Sequence, residues 1–128
     1  MPTALHIPTS LRRPLYAVAA VALLGAAVAV AVAEGTGWWK LGVFVIAPDI
    51  ALVAGVGTGL ERGQLHPRAV PLYNALHRLA GPLVLAALAL AGVLGAGWLV
   101  GALAWGFHVA VDRAVGYGLR TRDGFQRA

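Results

Sequence analysis

The sequence contains no cysteine, one lysine, one methionine and only five acidic residues among 128. The lack of cysteine removes disulfides, thiolate metal ligands and thiol nucleophiles together, and leaves the redox compartment open. Charge of either sign is scarce at 12%, where a soluble domain carries about 25%. With 59% hydrophobic residues and a mean hydropathy of +0.77, the composition points to lipid as the solvent. Gly-x-Ser-x-Gly, the phosphate-binding glycine loop and His-Glu-x-x-His are all missing. So are internal repeats and low-complexity linkers, which leaves one integral membrane domain over residues 1–128. The formal charge of +5 does not indicate nucleic acid, because no basic face with interleaved aromatics exists.

Apolar runs are what the sequence has in quantity. Four stretches, at about residues 15–33, 38–60, 72–94 and 98–119, each approach the ~20 residues a helix needs to cross the hydrocarbon. They predict an all-α membrane protein, a bundle of four transmembrane helices. Gly95-Ala96-Gly97 separates the last two, which predicts a tight antiparallel hairpin. Seven arginines (Arg12, Arg13, Arg62, Arg68, Arg120, Arg122 and Arg127) fall on one side, against Lys40 on the other. Positive charge stays inside, so both termini are expected on the cytoplasmic side of the membrane. Trp38, Trp39 and Trp98 then lie at the outer boundary, where amphipathic rings prefer to sit. Ala31-Val32-Ala33 is an A-x-A triplet of the signal-peptidase kind, but its apolar run exceeds the usual length of a cleaved signal, so retention is expected. Gly55 with Gly59, and Gly97 with Gly101, have the spacing that lets helices approach closely, within one bundle or between copies in a homo-oligomer.

Ionisable residues interrupt these runs. Asp49 lies in the second stretch, His77 in the third, and His108, Asp112 and Arg113 in the fourth. A charge at the bilayer centre costs about 2.5–3.5 kcal/mol on insertion scales, so such groups are expected to pair with one another, a metal or a ligand. Counting along helices from their inner ends puts Asp49 and His108 about 16 Å deep, Asp112 about 10 Å and His77 about 7 Å. His108 and Asp112 are i, i+4 and share a face, as do Tyr73 and His77, with Asn74 near that face. Pro48 loosens the helix beside Asp49.

Two carboxylates and two imidazoles from three helices suit a divalent metal such as zinc, manganese or iron, with Asp49, His77, His108 and Asp112 as ligands. The same groups also suit a polar latch, in which Asp49 pairs with a histidine and Asp112 with Arg113 or Tyr117. A proton relay or substrate path is a third use for them. Gly116-Tyr117-Gly118 has the letters of a potassium-channel filter, yet it ends the last helix, where glycine permits the left-handed cap. His66 and His6 are expected to be solvated, in a loop and in the N-terminal tail.

Three blocks carry a family resemblance. Pro48-Asp49-Ile50, residues 72–77 (LYNALH) and residues 108–119 (HVAVDRAVGYGL) resemble the motifs of the family called domain of unknown function 4260, small bacterial multi-pass membrane proteins. The resemblance covers about residues 15–125 and implies site positions at Asp49, Tyr73, Asn74, His77, His108, Asp112, Arg113, Tyr117 and Phe125. The chain departs from the pattern at Ala51, where the family tends to have serine, at Ala54-Gly55, and at Arg120-Thr121. The Thr-His the family usually carries after the phenylalanine is also absent. A looser likeness, by analogy only, is to membrane-bound metal-dependent hydrolases. These observations lead to the expectation of a polar site in the cytoplasmic half, metal-binding and hydrolase-like. The alternative is a non-enzymatic helper or transport-associated bundle.

Overall fold

The computed structural model describes residues 7–127, so His6 lies outside the described residues. The chain is all-helical: α1 (Thr9–Glu34), α2 (Trp38–Ile46), α3 (Ile50–Ala54), α4 (Val70–Leu76), α5 (Ala80–Leu90) and α6 (Ala96–Val115). Among the described residues the only β pairing is an isolated antiparallel bridge between Arg120 and Gln126. α1 is also the only helix there that is long and apolar enough to cross a membrane by length and composition.

The first and last apolar stretches form continuous helices, but the second and third are broken, and prolines explain both breaks. Pro48 has no N–H to return to Phe44, so the chain passes through a 3-10 turn at Ala47–Asp49 before α3 begins. Pro82 stands near the start of α5, and its ring would clash with the carbonyl of Arg78 in a continuous helix. α4 therefore stops at Leu76, and His77, Arg78 and Leu79 form the joint. Helix expected to residue 60 ends at Ala54, and helix expected to residue 94 ends at Leu90. Gly55 therefore caps α3 and Gly59 lies in the following loop with φ +72°, so that pair makes no helix face.

α6 is the axis of the packing and touches α1, α2 and α5. Its buried face is built of small residues, including Gly97, Gly101 and Ala104, with His108 one turn further on. Small residues allow close approach. Gly97 faces the backbone of Gly37, and Gly101 lies under the ring of Phe44. On the side of α5, Gly81 leaves the space filled by the indole of Trp105. α6 ends at Gly116, whose φ of +99° is the left-handed cap anticipated for the Gly-Tyr-Gly segment.

Candidate metal centre

Both helix breaks carry residues of the expected site. The 3-10 turn of Ala47–Asp49 presents Asp49, and the residue that caps α4 is His77. His108 and Asp112 come from successive turns of α6. Three elements far apart in sequence thus meet at one point, with all four ligand-type atoms within 4.8 Å of one another. His77 is fully buried and His108 nearly so, while the side chain of Asp49 is 46% exposed and that of Asp112 18%.

The two imidazoles are oriented by the main chain. His77 Nδ1 lies 2.8 Å from the carbonyl of Tyr73, and His108 Nδ1 lies 2.7 Å from the carbonyl of Val45. A carbonyl only accepts, so each Nδ1 carries the proton and donates. In the neutral imidazole each Nε2 then has its lone pair facing inward. The two Nε2 atoms are 3.3 Å apart. His77 Nε2 is 3.4 Å from Asp49 Oδ1 and 3.3 Å from Asp112 Oδ2. The corresponding distances from His108 Nε2 are 3.3 and 3.6 Å.

These separations discriminate between two arrangements. An imidazolium–carboxylate hydrogen bond closes to about 2.7–2.9 Å, shorter than any of the four. Four ligands at about 2.0–2.1 Å from one tetrahedral ion stand about 3.3–3.4 Å from one another, because a tetrahedron's edge is about 1.6 times its radius. The donor set is nitrogen and oxygen, and each histidine has the carbonyl partner that ligating imidazoles usually have. The residues present fit a divalent ion.

The other expected site residues surround the four without joining them. Tyr73 stacks on the His77 ring, with centroids 4.0 Å apart and planes 13° from parallel. Asn74 clamps the chain beyond α6: its Nδ2 donates to the Arg120 carbonyl at 3.0 Å and its Oδ1 accepts the Arg120 N–H at 2.8 Å. Arg113 turns away from Asp112 and donates to the carbonyls of His77 (2.8 Å) and Tyr117 (3.2 Å). Tyr117 leaves its ring exposed and ties its N–H to the Asp112 carbonyl. The Phe125 N–H meets the Thr121 hydroxyl at 3.3 Å, away from the ligands. His66 is more than a solvated loop residue, since its Nδ1 accepts the Arg68 N–H and caps a 3-10 turn.

Sequence reasoning missed several supports. Trp105, three residues before His108, donates its indole N–H to the Leu76 carbonyl at 2.7 Å, across the α4–α5 break. Its spacing from His108 was the available signal, because a buried indole needs an acceptor. Gln126 donates to the Tyr73 hydroxyl at 3.2 Å, and the Arg120 guanidinium lies 4.8 Å from the centre of the Tyr73 ring. Gly124, with φ +97°, allows the turn that brings Gln126 back.

With this geometry established, comparison with protein families matches residues 14–128 to the family described as Domain of unknown function (DUF4260). No curated protein and no solved structure matches the chain.

Proposed function

The chain belongs to that family, and we propose that it is a membrane metalloprotein holding one divalent ion, of the zinc type, through Asp49, His77, His108 and Asp112. The observation that carries this reading is the spacing of the ligand atoms: five of their six separations are 3.3–3.6 Å, longer than direct charge-assisted hydrogen bonds and close to those of ligands on a common tetrahedral ion. A divalent ion in this position supplies Lewis acidity and brings a water's pKa towards neutrality. His77 and His108 are the buried members of the set, and Asp112 is partly buried. Asp49 is the most exposed of the four and would be the group placed to accept a proton from water at the site. Hydrolysis of an amphipathic substrate is the chemistry this arrangement serves best.

The membrane reading is that the four apolar segments cross a bacterial inner membrane with both termini inside. Its supports are the apolarity of α1 and the outward-facing large hydrophobic residues on later helices, such as Val53 on α3 and Leu83 and Leu90 on α5. Broken helices are tolerated in lipid where protein groups satisfy the freed carbonyls, as Trp105 and Arg113 do at the α4–α5 joint. Exposed Arg78, in the same joint, has a stem long enough to carry its charge towards the interface. Trp39 and Trp98 meet edge to face, with the Lys40 ammonium over both rings, which gives the opposite end an aromatic boundary.

Metal analysis of the purified full-length protein tests the proposal. One equivalent of metal per chain is expected, lost in His77→Ala and His108→Ala. Wild-type protein that takes up no zinc, manganese or iron overturns it.

A further inference from the structure

A cavity of about 880 Å³ opens between the start of α1 and the end of α6, beside the metal ligands and distinct from them. Arg12, Arg13, Arg113 and Arg127 line it, and no acidic side chain does. Among the described residues, none of these four guanidiniums pairs with a carboxylate. Arg113 is held by two main-chain carbonyls, which fix its position and leave its charge uncancelled. Arg13 lies where a side chain at position 116 would sit, so the left-handed glycine that ends α6 also makes room for a cation. The remaining wall is partly apolar, with Leu15 and Ala19 leading onto the long apolar helix α1.

Four like charges converging on one concavity repel one another, and a concave wall strengthens their joint field. The planar guanidinium fork pairs bidentately with carboxylate and phosphate, and a phosphate monoester, with up to two charges and three free oxygens, engages more of the four arginines at once than a carboxylate does. The cavity lies within the size range of small-ligand sites. We propose that this groove binds a phosphate group carried on an amphiphile, with the phosphate among the arginines and the apolar part along Leu15 and Ala19. The hydrogen bond from Arg113 to the His77 carbonyl joins one wall of the groove to a residue of the proposed metal centre, on which the hydrolytic reading rests. Binding in the groove does not depend on a metal being present.

The test titrates detergent-solubilised full-length protein, by calorimetry, with dihexanoyl phosphatidate, inorganic phosphate and dihexanoylglycerol. Saturable one-to-one binding of the phosphatidate is expected, with dihexanoylglycerol much weaker. The Arg12→Gln/Arg13→Gln double variant, confirmed as folded by an unchanged melting temperature, should lose roughly tenfold or more in affinity. Phosphatidate binding tighter than inorganic phosphate identifies the lipid as the source, and equal affinity identifies free phosphate. Both support a phosphate site. Absence of phosphatidate binding, equal binding of dihexanoylglycerol, or full affinity in the double variant overturns the proposal. His108→Ala separates the two readings, because it should abolish metal uptake and keep phosphatidate affinity.

Discussion

His77 and His108 meet Nε2 to Nε2 at 3.3 Å, and each is turned that way by a main-chain carbonyl on its other nitrogen. One carbonyl belongs to Tyr73, a helical turn before His77, and the other to Val45, just ahead of the break at Pro48. Two inward lone pairs, with two carboxylates beside them, repel one another unless a proton or a metal ion lies among them. That requirement is local and electrostatic, and the behaviour of the whole centre follows from it.

The first consequence concerns stability. A metal that binds the folded state alone stabilises it by about 2.7 kcal/mol at a hundredfold excess over its Kd. Thermal unfolding of chelator-treated protein should therefore shift upward when zinc is restored. Asp112→Asn and His108→Ala should show no such shift, and a rise equal to wild type in either variant counts against a shared ion.

Trp105 satisfies the Leu76 carbonyl at the α4–α5 break. Trp105→Phe keeps an aromatic ring beside Gly81 but leaves that carbonyl without its donor. The expected cost is about 1–3 kcal/mol, measured by chemical unfolding in detergent. An unchanged stability would mean that the break is held by packing alone.

Asn74 makes a two-point clamp on the main chain of Arg120, and so holds the segment that carries Gln126 over Tyr73. Asn74→Ala should cost about 1–3 kcal/mol, because both main-chain groups lose their partners. Hydrogen exchange should rise selectively at residues 118–127. A uniform rise throughout the chain would instead indicate general loosening.

How much of this was legible follows from the range of each signal. The i, i+4 spacing of His108 and Asp112, and the matching depths of Asp49 and His108, are local regularities that bring three of the four groups to one level; His77 counts shallower along an unbroken helix and joins them at the break that ends α4. The breaks were half legible. Pro48 marks the first, but Pro82 acts four residues upstream, on the carbonyl of Arg78, so a hydropathy window reads straight through the joint. The orientation of the imidazoles was not legible, because Val45 and His108 are 63 residues apart and the acceptor is a main-chain atom with no side-chain signature. The same holds for the clamp of Asn74 on Arg120, 46 residues away.

The topology prediction follows from the charge count. A reporter fused to the C-terminus, after the arginines of the final segment, should report the cytoplasm, and one inserted at Gly35 should report the periplasm. A periplasmic signal from the C-terminus would reverse the orientation and place the arginine groove on the outer face.

The most direct test of the central claim is the X-ray absorption spectrum of the zinc-loaded, full-length protein. A common ion predicts a first shell of nitrogen and oxygen at about 2.0–2.1 Å, with the outer-shell scattering of two imidazoles. A spectrum with the outer-shell scattering of one imidazole, or of none, would contradict the claim that His77 and His108 share a metal.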